Sequence, residues 1–253
     1  MIARLFTSRQ RAASAAARLS PGTRLYAIGD IHGCIEPLRR LHDIIREHAA
    51  AQPVARNAVI YLGDYVDRGP DSRAVIDLLR DNPLGGFECV YLKGNHEASL
   101  LQFLDDELHG PQWFAYGGDA TLRSYGVSAP HSATDWAGLE RARREFAQRL
   151  PSEHRDFFSR LRLAHVEDDY MFVHAGVRPE VPLQEQNSDD LLWIRDEFLF
   201  SDVEFGKIVV HGHSISEAPI VRHNRIGIDT GAFAGGPLTC LVLEGTSRSF
   251  LTS

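Results

Sequence analysis

Five apolar runs set the rhythm of the chain: RLYAIGD (24–30), NAVIYLGD (57–64), FECVYLKGN (87–95), DYMFVHAG (169–176) and KIVVHGH (207–213). The first three start roughly 30 residues apart, the length of a strand–helix–strand unit. Between the first two, Ile35, Leu38, Leu41, Ile44 and Ile45 recur at helical spacing. Val75, Ile76, Leu78 and Leu79 do the same between the second and third, and DNPLGG (81–86) stops that helix. The pattern predicts an α/β domain with at least partly parallel strands.

The pattern changes over about 98–165. EASLLQFLDDEL (97–108) and DWAGLERARREFAQRLPSEHRDFFSRLR (135–162) are helical by period, with YGGDATLRSYG (116–126) expected as a loop between them. No Pro/Ser-rich linker flanks this stretch, so it reads as a helical insertion within one domain spanning 21–253. RIGIDTG (225–231), PLTCLVLEG (237–245) and SRSFLTS (247–253) are strand-like again and predict a terminal antiparallel sheet edge.

Composition narrows the class. With 253 residues, 43% apolar and 24% charged, the chain can bury a substantial core. No apolar run approaches the roughly 20 residues of a membrane span, so no membrane partner is expected. A net charge of −7 argues against a general nucleic-acid binder. Cys34, Cys89 and Cys240 are odd in number and far apart, which implies neither a disulfide framework nor a zinc knuckle, and a cytoplasmic setting is expected. Residues 1–20 hold four arginines and no acid. They read as a frayed tail, with a transit peptide as the alternative.

Each run ends in a small residue followed by side chains able to bind a metal. Asp30 and His32 follow the first, and Asp64, Asp67 and Arg68 the second. Asn95 and His96 follow the third, His174 the fourth, and His211 and His213 the fifth. Taken singly each has a bland explanation: turns favour Asp and Gly, Glu97 suits a helix start, and a lone histidine at a strand end is commonly satisfied by backbone. Cys34, Tyr65 and Val66 are expected only to pack. Together the five cannot be dismissed, because loops at the carboxyl ends of neighbouring strands gather into one crevice. Carboxylate, amide oxygen and imidazole suit Mn, Fe or Zn without a thiolate bias. A pair of metals needs a bridging ligand, and Asp64, central in the ordered set, is the natural one.

GDIHG, GDYVDRG, GNHE, HAG and GHS, in this order and spacing, resemble the signature of the phosphoprotein phosphatase family of metallophosphoesterases, with the short bacterial and bacteriophage members most similar. The resemblance runs over about residues 24–243. It implies a calcineurin-like fold, a central β-sandwich flanked by helices with a dimetal site at the strand ends. It implies Asp30, His32 and Asp64 on one divalent ion, and Asp64, Asn95, His174 and His213 on the other, with Mn expected to support activity and Fe or Zn as alternatives. His96 matches a general acid, Asp67 the carboxylate that orients it, and Arg68 a phosphate-binding arginine. Arg195, in LLWIRDEF, looks like a second such arginine, with Asn95 also contacting substrate. His211 is then left beside the site or in contact with substrate.

The implied activity is hydrolysis of a phosphorylated protein or peptide, on serine or threonine and conceivably tyrosine, by direct attack of a hydroxide held between the metals, in a monomeric enzyme. The alternative is a symmetrical dinucleoside tetraphosphate hydrolase, which shares the site and the IDTG-like ending. Only 39 residues separate His174 from His213, and the GDYVDRG and GNHE motifs are complete. Both features favour the protein phosphatase. A non-enzymatic scaffold is disfavoured because every expected ligand is present.

Overall fold

The computed structural model describes residues 17–132 and 134–253. Ten strands form two five-stranded sheets among the described residues. The first sheet contains β1 (Thr23–Ile28), β2 (Arg56–Tyr61) and β3 (Glu88–Tyr91), all parallel. The second contains β4 (Ala164–Glu167), β5 (Tyr170–Val173), β6 (Ile208–His211), β7 (Ile220–Val221) and β8 (Arg225–Gly227), in the order β4-β5-β6-β8-β7. The chain then returns to the first sheet. There β9 (Thr239–Glu244) lies antiparallel to β1, and β10 (Ser247–Thr252) forms the edge.

Side-chain alternation explains why the central strands read as unbroken apolar runs. Along β1, Leu25 and Ala27 face the second sheet, while Tyr26 and Ile28 face the helices; on β2, Ala58 and Ile60 oppose Val59 and Tyr61 in the same way. Both faces are buried, so no polar face remains to show. The inner faces meet Tyr170, Phe172, Val210 and Ile226 of the second sheet, making a sandwich. Outside the first sheet pack α1 (Ile35–Ala51) and α2 (Ser72–Arg80), each connecting two parallel strands. The same layer continues into α3 (Asn95–Asp105), α4 (Gly110–Ala115), α5 (Gly118–Ser124), α6 (Trp136–Arg149) and α7 (Ser152–Ser159). The outer face of the second sheet is covered by α8 (Ser188–Trp193) and α9 (Asp196–Leu199), through Leu191 and Phe198.

Three expectations are corrected. YGGDATLRSYG is not a loop: Gly117, at φ +96°, turns the chain into α5, and Gly118 lies where a Cβ would come within 2.4 Å of the Trp113 ring. The glycines that suggested a loop are there for close packing. RIGIDTG does not share a sheet with the two last strands: β8 lies in the second sheet, parallel to β6 and antiparallel to the edge strand β7, while β9 and β10 belong to the first. Finally, residues 17–20 of the expected tail are docked: Leu19 is buried and donates to Gly245, while Arg18 and Ser20 donate to Asp169 and Asp168. The rest of the expected tail lies outside the described residues. Among the described residues no helix is long and apolar enough to cross a membrane.

One buried titratable group lies in this core, away from the strand-end loops. His42 of α1 is 1% exposed, its Nε2 3.0 Å from the Tyr61 hydroxyl and its Nδ1 without a partner. Burial lowers its pKa from 6.5 to about 4. The unfolded chain therefore binds a proton that the folded chain refuses, so this contribution is whole above pH 6.5 and declines as the pH falls towards about 4. Replacing His42 with Gln, which can still reach Tyr61, should remove up to about 3 kcal/mol of the acid-side loss. Urea midpoints measured from pH 7 to pH 4 on both proteins would show it as a flatter slope.

Candidate metal centre

The expected residues converge. Asp30 and His32 follow β1, Asp64 follows β2, Asn95 opens α3 after β3, His174 follows β5 and His213 follows β6; all are at least 93% buried. Asp64 is the hub. Its Oδ2 lies 3.4 Å from His174 Nε2, 3.5 Å from His32 Nε2 and 3.9 Å from His96 Nε2. Two groups with ligand atoms close enough for a cation, His32–Asp64–His96 and Asp64–His174–His213, share this one carboxylate. Asn95 Oδ1 approaches His174 Nε2 at 2.8 Å, which brings the amide oxygen to the second group. Asp30 is tied to the same end of the sandwich by accepting the His213 backbone N–H.

The imidazoles are oriented as metal ligands need to be. His32 Nδ1 donates to the Val66 carbonyl and His174 Nδ1 to the Leu62 carbonyl, both at 2.9 Å, so each turns Nε2 towards Asp64. His213 Nε2 is buried and has no hydrogen-bond partner. The site therefore gathers acceptor atoms around Asp64, an arrangement that positive charge satisfies, from a cation or from a proton on His174. The protonation preferences reflect the same crowding. Burial drives His32 down to about 3 and His213 lower still. His174 goes the other way: burial opposes its charge, but the Asp64 and Asp30 carboxylates outweigh it and hold the ring up at about 10. Burial, with the charge of Asp229, raises Asp30. The donor set fits hard-to-borderline divalent ions.

The backbone is strained where the chemistry is. His32, Asp64, Asp67, Arg68 and His213 all have positive φ, between 47° and 71°. Such conformations cost roughly 1–3 kcal/mol each and persist only where the surroundings hold them. Here every one of these residues has its N–H anchored, by Asp64 O for His32, Glu97 for Asp64, Ser72 and Thr121 for Asp67, Gly117 O for Arg68, and Asp30 for His213. Gly94 and Gly212 allow close approach, since a Cβ on either would lie 2.0 Å from Asp64 Oδ1 or Asp30 Oδ1 respectively.

Glu97 does far more than begin a helix. Fully buried, it accepts the N–H groups of Asp64, Tyr65, Val66 and Gly94, and so locks the GDYVD loop onto the GNHE turn. Burial and the neighbouring Asp64 charge raise its pKa to about 7. Other participants carried no motif in the sequence. Asp229, at the end of β8, is buried beside Asp30 and accepts from Gly231 N–H. The signal was available: RIGID (225–229) is another apolar run that ends in a carboxylate. Around the mouth stand three partly exposed aromatic rings. Tyr116 lies against His96 and Trp193, Trp193 against His213, and Phe233 edge-on to His32. Arg68 extends over the Phe233 ring at 4.5 Å, and exposed Arg195 reaches the His213 carbonyl.

Of the two readings left open for His211, the structure favours the one beside the site. Along β6 the faces alternate, so Val210 enters the sandwich while Val209 and His211 face the outer layer. His211 is buried edge-on to Phe198 and its Nδ1 donates to Gly212 O; it contacts no substrate surface. Burial lowers its pKa to about 4.

Residues 23–234 match the model of the calcineurin-like phosphoesterase family. The chain belongs to that family. The curated relatives include the asymmetrical bis(5′-nucleosyl)-tetraphosphatase PrpE of Bacillus thuringiensis, 24% identical over 238 residues that cover 85% of this chain and 88% of the relative. PrpE of Anoxybacillus flavithermus is 25% identical with the same coverage. These names belong neither to the protein phosphatase branch nor to the symmetrical hydrolases expected as the alternative. A solved structure provisionally named a diadenosine tetraphosphatase superposes with a TM-score of 0.60 at 23% identity, covering 94% of this chain and 98% of its own. A cold-active protein tyrosine phosphatase gives 0.56 at 17%, covering 92% and 81%. Family members use divalent ions, and this protein is a hydrolase of that family with ligands for them.

Because both groups share Asp64, Asp64→Asn should lose both ions and His213→Ala one. Metal analysis after Mn loading and dialysis should give about two equivalents for the parent, about one for His213→Ala and close to none for Asp64→Asn. Equal retention by all three would contradict the shared ligand.

Proposed function

We propose that the protein hydrolyses phosphate monoesters, with phosphoserine and phosphothreonine in proteins or peptides as its substrates. The observation that carries this reading is the buried pair His96–Asp67. His96 Nδ1 lies 2.7 Å from Asp67 Oδ2, which leaves Nε2 aimed at the Asp64 cluster, where the ester oxygen would depart. A serine alkoxide is a poor leaving group and needs a proton, whereas a nucleoside phosphate leaves readily without one. A carefully held acid is therefore most useful to a monoesterase.

Asp30, His32 and Asp64 would hold one divalent ion, and Asp64, Asn95, His174 and His213 the other. Bound there, the ions supply a nucleophile at neutral pH and neutralise phosphate charge. The chain's own groups do the rest. Arg68, with a guanidinium steadied by Phe233, and Arg195 bind the phosphate oxygens as charge redistributes over them. Asn95 meets substrate from the start of α3. His96 in its charged form gives its Nε2 proton to the departing oxygen, and Asp67 stabilises that charge beforehand.

A second reading is asymmetrical cleavage of dinucleoside tetraphosphates. The curated relatives carry that name, and the rings of Tyr116, Trp193 and Phe233 offer surfaces on which a base could stack. Parallel assays separate the two. With added Mn, metal-stripped protein should release phosphate from phosphoserine peptides, and His96→Asn should slow this by about 10²–10⁴-fold. Nucleotide cleavage with inert peptides would establish the second reading instead.

A further inference from the structure

Side chains of the helical insertion reach into the candidate site. Asp67 is completely buried, and besides His96 it has two donors, both from the insertion. Trp113 of α4 donates its Nε1–H to Asp67 Oδ2 at 2.8 Å, and Thr121 of α5 donates its hydroxyl to Oδ1 at 2.6 Å. The Thr121 oxygen also accepts the Asp67 backbone N–H at 2.9 Å and touches Ser72 Oγ at 3.1 Å. Main chain and carboxylate of one residue are thus gripped by one hydroxyl, at a residue whose φ is +71°. Between the two donors, Gly117 O takes the N–H of Arg68.

We propose that Trp113 and Thr121 are positioning residues for leaving-group protonation: they hold Asp67 so that it fixes the ring and proton of His96. This rests on the reading of His96 as the acid. The proton count supports it. Trp113 Nε1 can only donate, and the ionised Asp67 carboxylate that the proposal requires accepts from it and from His96 Nδ1, which then carries hydrogen. The proton available for transfer is then the one on Nε2. Burial raises the pKa of Asp67, and His96 first, then Thr121 and Trp113, oppose it. Losing a donor leaves the carboxylate short of partners and free to turn away from His96.

The role differs from that of an ordinary core contact in what it affects. Protonation matters for a strongly basic leaving oxygen and hardly at all for a weakly basic one. Thr121→Val preserves shape and removes the hydroxyl; Thr121→Ser keeps it. On an alkyl phosphate, kcat of Thr121→Val should fall about 10–100-fold, a part of what a full general acid contributes. On dinitrophenyl phosphate it should change less than about 3-fold, and Thr121→Ser should stay near the parent on both. In a His96→Asn background, Thr121→Val should cost nothing more, since there is no acid left to position. Trp113→Phe, which keeps the ring packed against Phe103 and Phe146, provides a second variant with the same expected contrast. Equal losses on both substrates would make the contacts merely structural and overturn the inference, as would no loss on either. If His96→Asn itself shows no leaving-group contrast, the acid assignment fails first. If it does and the Thr121 and Trp113 variants do not, the positioning role alone is refuted.

Discussion

Burying a carboxylate at the meeting point of two sheets is the constraint on which the rest of this architecture depends. Asp64 lies 2% exposed among the imidazoles of His32, His96 and His174, on backbone held in a left-handed conformation. A charge there is tolerated only with compensation from every side. The strand ends deliver three histidines, Glu97 secures the main chain, and Asp64 Oδ1 takes the His96 N–H. The sandwich brings these groups together because its inner faces are uniformly apolar. With Leu25, Ile60, Phe172 and Val210 packed between the sheets, the polar loops can only emerge at the ends.

The two sheets contribute unequally. Asp30, His32, Asp64, Asn95 and His96 leave the first sheet; His174, His213 and Asp229 leave the second. The sheets are joined where His174 donates to the Leu62 carbonyl and where His213 N–H meets Asp30. The outer helical layer adds a third contribution, since the insertion holds Asp67 and Arg68 from behind. The candidate ligands, the proposed acid and the proposed phosphate grips thus draw on both sheets and on the helical layer, with Asp64, Asp67 and Arg68 sharing one loop.

Much of this was legible in the sequence because strand ends punctuate it. Each central strand is buried on both faces, so a switch from apolar to Asp, Asn or His stands out sharply. Along β6, period-two alternation sends His211 outward while His213, beyond the strand, turns in. Glu97 was underestimated because its four backbone donors come from two separate loops. Trp113, Thr121 and Tyr116 were silent for another reason: their partners lie far away in sequence, and glycines packed against a Trp ring resemble glycines in a loop. The aromatic rim likewise draws Trp193 and Phe233 from segments whose meeting only the fold reveals.

The claim that Asp64 is shared by two cations is the centre of the account. A crystal of Mn-loaded protein, with anomalous scattering recorded at the Mn edge, tests it most directly. The account predicts two peaks about 3.5–4 Å apart with the Asp64 carboxylate between them, one beside Asp30 and His32 and the other beside Asn95, His174 and His213. A single peak, or a pair that leaves Asp64 uncoordinated, would contradict it.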